Sequence, residues 1–350
     1  MSTTKRADAD IIVGGQAVLE GVMMRSPNAY AVSVRTADGT IQSTSGPVAR
    51  LSEQYPMLKL PVVRGSATLI QSMALGIKAL NFSSSIALAD EEPDDVEVAN
   101  AATAGGPAGA VSVRVPKEKP QASTGTSAAA VGSLVFALVV NVGLFILVPL
   151  VATNALFMLF GASAAEPGAT WTATLWSLMR SVRPTFGFNL VEGAIRVSIF
   201  LGMIWSMSRV REMRRVFEYH GAEHKVVMAY ESGGPLTVEH ARVQPRRHPR
   251  CGTSFLMVVM IVAIVLFSIV RFDTLLANAA ARIALLPLVA GLSFEVIRAA
   301  AKKESGAFFR AMVLPGLWLQ GITTQEPSDD QLEVAIHALE TSLALEPSAN

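Results

Sequence analysis

The chain has 350 residues, of which 51% are hydrophobic and 16% are charged, and its mean hydropathy is +0.42. Soluble domains carry about 25% charged residues, so this composition excludes a soluble enzyme, a secreted disulfide scaffold and a collagen-like or wholly disordered chain. A net charge of +1 offers no basic surface for phosphates, and we expect no nucleic-acid partner.

The first predicted unit is a small α+β segment over residues 11–89. Residues 29–36 partly alternate apolar and polar side chains, Asp38-Gly39 is a strong hairpin signal, and residues 40–44 can return as a second strand. A short antiparallel sheet is therefore predicted. No signal-peptide apolar region precedes it, so we expect the front of the protein to stay in the compartment of its synthesis.

A helix and a linker are predicted next. Apolar residues recur at helical spacing between residues 66 and 88, at Leu69, Met73, Ile77 and Leu80. This helix is too polar to span a membrane and either caps the sheet or lies on the membrane surface. Residues 90–130, acidic at first and then rich in Ala, Gly, Ser, Thr and Pro, favour a flexible linker because they cannot bury enough apolar surface to fold.

Four membrane spans are predicted, at about residues 131–153, 189–209, 253–270 and 275–299. The first and third contain no charge. Glu192 and Arg196 in the second are one helical turn apart and predict an intramembrane ion pair, which either fixes helix packing or belongs to a substrate path. The fold class is therefore an α-helical integral membrane protein with four transmembrane helices and a small cytoplasmic α+β N-terminal segment.

The basic residues predict the orientation of these spans. Residues 210–253 contain eight of them, whereas residues 154–188 contain only Arg180 and Arg183. By the positive-inside rule the 210–253 segment is cytoplasmic, and four spans then place both termini in the cytoplasm. The membrane domain would run from 131 to 326, followed by a cytoplasmic amphipathic helix over 328–346 that carries Leu332, Ile336, Leu339 and Leu343.

The 210–253 segment also carries the residues best suited to chemistry. His220 and His224 are spaced to share one face of a helix, with Glu223 beside them in an HxxEH pattern. His248 and Cys251 add a second soft pair, and the single cysteine should stay reduced in the cytosol. We expect a divalent metal, zinc by preference, in either a closed structural site or an open catalytic one. The alternative is that these histidines simply face lipid headgroups.

Two further carboxylates are candidates for this site. Gly14, Gly15 and Gly21 predict a tight turn that either presents Glu20 or is merely structural. Glu295, in the fourth span, should approach the cytoplasmic level of the histidine pair. It is expected either as a ligand or neighbour of the metal ligands, by analogy with HxxEH enzymes, or as the partner of an arginine.

Several motifs also resemble a known family. They are GGQAVLEGVMMR (14–25), PVVRG (61–65), FEYHGAEHKVV (217–227), HPRCGTSF (248–255), SFEVIR (293–298) and LPGLWLQGITTQEP (314–327). They resemble the YqhQ-like family of bacterial multi-pass membrane proteins, a domain of unknown function commonly labelled a predicted metal-dependent enzyme. The resemblance implies a location in the bacterial cytoplasmic (inner) membrane and a metal-dependent activity.

The leading functional hypothesis is a membrane-embedded metal-dependent hydrolase in which Glu223 accepts a proton from water. The alternative is a non-catalytic scaffold or assembly factor that binds other membrane proteins and uses its metal structurally. A transporter that uses Glu192, Arg196 and Glu295 is a third hypothesis, although no inverted repeat supports it. The partner common to all three is the lipid bilayer.

Overall fold

The computed structural model describes residues 13–48, 55, 57, 60–91, 128–160, 185–248, 251–272, 274–300 and 306–346. Most of the predicted linker, the loop with Arg180 and Arg183, and Arg250 lie outside these residues. The strands are β1 (Gly14–Val18), β2 (Gly21–Arg25), β3 (Ala29–Arg35) and β4 (Ile41–Pro47). The helices are α1 (Val63–Glu91), α2 (Ala128–Val142), a π-helical turn (Gly143–Leu147), α3 (Val148–Leu159), α4 (Phe186–Met207), α5 (Arg211–Glu231), α6 (Val238–Arg242), α7 (Gly252–Ile269), α8 (Leu275–Ala300), α9 (Ala307–Thr323) and α10 (Asp329–Ala344).

The strands form one antiparallel sheet in sequence order, β1-β2-β3-β4. The hairpin predicted at Asp38-Gly39 is present, with Gly39 at φ +85°. β1 and β2 form a second hairpin around the two-residue turn that ends at Glu20, whose φ is +50°. The glycine motif at the start of the chain thus makes two strands as well as the predicted turn.

Helices cover both faces of this sheet. On one face, Met23, Tyr30 and Val32 pack against Ala79 and Ile86 of α1. On the other face, Val22 and Met24 pack against α10 and α5 in a core that includes Tyr219, Leu332 and Leu339. Of the two placements predicted for the amphipathic helix, the cap on the sheet is therefore present. Its opposite side leaves Ile70, Met73, Ile77 and Leu80 exposed, so the apolar face predicted from Met73, Ile77 and Leu80 is not the face that covers the sheet.

The helix at the end of the chain is a central part of this unit. α10 begins with a capping box, in which the Ser328 side chain accepts from the Gln331 backbone and the Gln331 side chain accepts from the Ser328 backbone. Ser33 in β3 lies 3.1 Å from Nδ1 of His337 on α10. The N-terminal sheet and the C-terminal helix therefore form one folded body.

Four helical segments are long and apolar enough to cross a membrane, by length and composition. They are Val135–Phe157, Phe186–Met207, Gly252–Ile269 and Leu276–Ala300, close to the four predicted spans. Between 18% and 33% of the residues in their most apolar windows are buried. Most of their apolar surface therefore faces outward, as contact with lipid requires.

A charged network joins two of these helices. Glu192 and Arg196 on α4 form an ion pair, and Nη1 of Arg282 on α8 donates to the same Glu192 oxygen at 2.7 Å. Both guanidinium groups also lie over the ring of Phe267 on α7, at 5.4 and 5.3 Å from its centre. Arg282 is a second partner that the spacing of Glu192 and Arg196 does not indicate.

α9 packs along α7 and brings its C-terminal end to the N-terminal end of that helix. The helices touch closely at Gly316, where a Cβ atom would overlap Ser254. One turn further, Gln320 is fully buried, and its amide nitrogen donates to the His248 carbonyl at 2.8 Å and to Oγ of Ser254 at 2.9 Å. This packing fixes the segment that leads into the cysteine.

Candidate metal centre

α5 carries both histidines of the HxxEH pattern on one face. It is a separate helix, because α4 ends at Met207 and α5 begins at Arg211. The rings of His220 and His224 lie with their centres 4.5 Å apart. Gly221 allows the segment around Gln325 to pass directly against α5, since a Cβ at Gly221 would overlap the Gln325 carbonyl oxygen.

Backbone carbonyls orient both imidazoles. Nδ1 of His220 lies 2.8 Å from the Thr323 oxygen, and Nδ1 of His224 lies 2.6 Å from the Arg246 oxygen. A carbonyl oxygen only accepts hydrogen bonds, so each Nδ1 carries a proton, and in the neutral imidazole each Nε2 then keeps its lone pair. This is the arrangement in which histidine binds a metal through Nε2.

Cys251 completes a compact group of three ligand atoms. It is the N-cap of α7, and its sulfur accepts from the Thr253 backbone N–H at 3.4 Å. The same sulfur lies 3.1 Å from Nε2 of His220. The ligand atoms of His220, His224 and Cys251 all lie within 4.8 Å of one another. This cluster can hold a metal ion.

The Nε2 atom of His224 is the most informative atom of the cluster. His224 is 1% exposed, and among the described residues this nitrogen has no hydrogen-bond partner. A buried polar atom in that state costs about 1–3 kcal/mol. Its position beside two other ligand atoms fits a metal ion, which would engage its lone pair.

Glu223 lies next to this atom. Its Oε2 is 3.5 Å from Nε2 of His224, and the residue is 6% exposed. Its side chain also packs against β1, because a Cβ at Gly15 would lie 2.9 Å from Cγ of Glu223. The glycine motif at the chain start thus leaves room for this carboxylate.

His248 lies beside the cluster and outside the group of three. Its ring centre is 5.8 Å from that of His224, and its Nε2 is 3.5 Å from a carboxylate oxygen of Glu231. Its backbone N–H donates to Oε1 of Gln320 at 2.8 Å. Of the four predicted ligands, the structure therefore brings three together and places the fourth next to them.

The two carboxylates proposed as additional ligands bind arginines in the structure. Glu20 forms an ion pair with Arg215 on α5 and lies 3.4 Å from the Tyr219 hydroxyl. Glu295 forms an ion pair with Arg64 on α1 and accepts from the Val62 backbone N–H at 3.3 Å. Neither belongs to the group of three ligand atoms. Of the two alternatives predicted for Glu295, the structure thus shows the ion pair with an arginine. That arginine, Arg64, is distant in sequence.

A cavity of about 660 Å³ opens beside the cluster. His224, Cys251, His248 and Glu223 line one part of it. The rest is lined by residues of β1, β2 and α1, among them Gln16, Met23, Arg25, Thr68, Ser72 and Leu75. Two of the three candidate ligands, His224 and Cys251, therefore face a space large enough for a small organic molecule.

Some residues that build this site carry no recognisable sequence signal. The carbonyls of Thr323 and Arg246 act through the backbone, and their identity is invisible in the side-chain pattern. Gln320 bonds the backbone of His248 across 72 residues of sequence, and Arg25 reaches the cavity from a strand near the start of the chain. A signal was available for Gly15 and Gly21 alone, since closely spaced glycines indicate places where chain segments approach closely.

Comparisons with known proteins agree on one family. A family model described as "Protein of unknown function (DUF1385)" matches residues 60–345. A protein described as "Uncharacterized protein YqhQ", from Bacillus subtilis (strain 168), is 33% identical over 337 residues, which cover 95% of this chain and 92% of that protein. No solved structure shows a significant match.

Proposed function

This chain belongs to the DUF1385 family of proteins of unknown function, and we propose that it is a membrane-embedded metal-dependent enzyme, most simply a hydrolase. The proposal depends above all on the buried Nε2 of His224, which has no hydrogen-bond partner among the described residues and lies within 4.8 Å of two other ligand atoms. A metal ion held by His220, His224 and Cys251 would satisfy it.

Zinc is the metal that this set of donors suits best, because it combines two imidazole nitrogens with one thiolate sulfur. Catalytic zinc sites use three protein ligands and leave a position open to the solvent or substrate. When bound, the ion supplies Lewis acidity, which polarises a carbonyl or phosphoryl group and makes water a stronger nucleophile. The cavity beside the cluster would admit that water and the substrate.

Glu223 is the proposed general base. It is nearly buried, lines the cavity and lies within 3.5 Å of the ring of His224. A carboxylate in this position can accept the proton of an attacking water at Oε2 and pass it to the leaving group. Replacement by glutamine keeps the shape of the side chain and removes this ability.

The proposed location is the bacterial cytoplasmic (inner) membrane, with the site and both termini in the cytoplasm. Eight basic residues in the 210–253 segment support this orientation. Labelling of single cysteines introduced near residue 235 should occur from the cytoplasmic side only. Labelling from outside would reverse the orientation.

The experiment that tests the metal site is elemental analysis of the purified full-length protein. We expect about one zinc per chain in the parent, loss of most of it in His220→Ala, His224→Ala and Cys251→Ser, and full retention in Glu223→Gln. His240→Ala is the matched control, since this histidine lies outside the cluster and contacts Ser232. Equal metal in the parent and the ligand variants would contradict the proposal.

A structural role for the metal is the second candidate, and one observation favours it. The three ligands come from two helices, and His220 also bonds the end of α9, so an ion here would fasten α5, α7 and α9 together. In a scaffold of this kind Glu223→Gln would keep both the metal and every function of the protein. Loss of hydrolysis of a panel of ester, amide and phosphate substrates in Glu223→Gln, with its metal retained, identifies the enzyme instead.

A further inference from the structure

Arg25 is the residue of the cavity that the proposed chemistry leaves unexplained. It is the last residue of β2 and lines the cavity together with Glu223, His224 and Cys251. The turn that follows it is firmly held, because the backbone and side-chain nitrogens of Asn28 donate to the Glu346 carboxylate at 2.7 and 2.6 Å. Arg25 therefore projects from a rigid part of the molecule.

The charge of Arg25 is not balanced within the described part of the chain. Three other cationic side chains near the site have carboxylate partners: Arg215 pairs with Glu20, Lys225 with Glu326 and Arg64 with Glu295. For Arg25 the described residues provide one hydrogen bond, from Nη1 to Oγ of Ser72 at 3.4 Å. Burial lowers the pKa of its guanidinium below the usual range.

The cavity that Arg25 faces lies at the start of a spanning helix. Cys251, in its wall, is the N-cap of α7, one of the four helices apolar enough to cross a membrane. α1, which supplies Thr68, Ser72 and Leu75 to the wall, exposes Ile70 and Met73 on its other side. These features place the cavity at the level where an apolar membrane interior meets water, which is where lipid phosphates lie.

We propose that Arg25 binds the phosphate group of the substrate, and that this substrate is a phosphate ester with an apolar portion. A guanidinium offers paired donors that match phosphate oxygens, and its stabilisation of an anion is greatest when both are removed from water. The cavity of about 660 Å³ is far larger than a phosphate ion, and Val13, Met23 and Val227 provide apolar wall for the rest of the ligand. This inference rests on the proposed function, because it names the substrate class of the same site.

The phosphate ester could be a membrane lipid or a soluble metabolite, and the test separates the two sources. Full-length protein, freed of metal by a chelator and held in a non-ionic detergent, is titrated with dihexanoyl phosphatidic acid, with inorganic phosphate and with uncharged dihexanoylglycerol. Without metal, any dependence on phosphate comes from the protein itself. Metal content is measured in parallel on untreated samples of each variant.

We expect phosphatidate to bind the parent, and Arg25→Gln to raise its Kd about tenfold or more, the loss of one charge-assisted pair. Arg25→Lys should fall between them, since it keeps the charge and loses the paired geometry. Arg209→Gln, at an exposed cation outside the cavity wall, should bind as the parent does. Phosphatidate binding tighter than inorganic phosphate supports the apolar portion and a lipid source, whereas equal, Arg25-dependent binding would contradict the apolar portion and favour a soluble phosphate.

Equal phosphatidate binding by the parent and Arg25→Gln would overturn the proposal, whatever the metal content of the two proteins. Loss of metal from the His224→Ala protein with unchanged Arg25-dependent binding leaves it intact, so this result is distinct from failure of the metal site. Should Arg25→Gln not fold, phenylglyoxal modification of the parent replaces it. Phosphatidate should protect Arg25 from this reagent, as read by mass spectrometry, and an unprotected Arg25 would contradict the proposal.

Discussion

Replacement of Gly15 by alanine should destabilise the protein, whereas the same change at Gly14 should not. A Cβ at Gly15 would overlap the Met23 carbonyl oxygen and lie 2.9 Å from both Sδ of Met24 and Cγ of Glu223. At Gly14 a Cβ meets nothing within 4 Å. The methionine side chain can move aside, but the carbonyl belongs to β2, which is hydrogen-bonded on both sides.

The expected difference follows from these contacts. Overpacking by one methyl group costs about 1–3 kcal/mol. Alanine also restricts the unfolded chain, which stabilises by about 0.4–1 kcal/mol, but this gain applies to both variants and cancels in the comparison. Gly15→Ala should therefore be about 1–3 kcal/mol less stable than Gly14→Ala, or roughly 2–12 °C lower in thermal midpoint at about 2–4 °C per kcal/mol.

The assay is thermal unfolding of both variants and the parent, followed by intrinsic tryptophan fluorescence in the same detergent. Metal content is measured beforehand and should be equal in the two variants, because the clash at Gly15 involves Glu223 and none of the three candidate metal ligands. Midpoints for Gly15→Ala and Gly14→Ala that agree within error would refute the close packing of Gly15 against β2 and the Glu223 side chain.

Three other measurements test the site and its surroundings. Gln320→Ala removes the partner of the His248 N–H and one of the two donors to its carbonyl, which keeps the Cys251 N–H, and should lower the free energy of unfolding by about 1–3 kcal/mol in denaturant titration; no measurable loss would contradict this clamp. Chelation should lower the thermal midpoint of the parent by the equivalent of about 2.7 kcal/mol when metal had been present at 100 times its Kd, and it should not affect His224→Ala; an equal shift in both would rule out this cluster. Burial, and then Glu20, raises the pKa of Tyr219 above 10.0, so the folded state keeps a proton that the unfolded state loses, and stability should fall as pH rises above about 10. Tyr219→Phe should lack this fall, and an identical pH profile in the two proteins would contradict the burial of the hydroxyl.

The sequence predicted those features whose signals are local. Spans free of charge are visible as long apolar runs, and the β3-β4 hairpin is visible through Asp38-Gly39. β2 gave no alternating pattern because helices cover both faces of the sheet, which makes Val22, Met23 and Met24 all buried. The turn before it has Glu20 at φ +50°, where the sequence patterns for hairpins expect asparagine or glycine.

In the candidate site, too, the features with local sequence signals were predicted and those set by tertiary contacts were not. Helical spacing predicts that His220 and His224 share one face, and residue chemistry suggests Cys251 as their companion. The expected position of Glu295 along its helix, however, did not reveal that its carboxylate forms an ion pair with Arg64. That pairing depends on the start of α1 packing against α8, where Gly291 lies so close to Val62 that a Cβ would overlap it. Contacts of this kind are decided by tertiary packing, which no single stretch of sequence encodes.

The position of α10 on the sheet has a consequence for how the protein is made. Chains leave the ribosome N-terminus first, so β1–β4 emerge before any of the four long apolar helices, and α10, which covers Val22 and Met24, emerges after the last of them. Until then one face of the newborn sheet lacks its cover, and α5, which carries the histidines, lacks the helix it packs against. The surroundings of the candidate metal cluster are thus complete only after the whole chain has been synthesised.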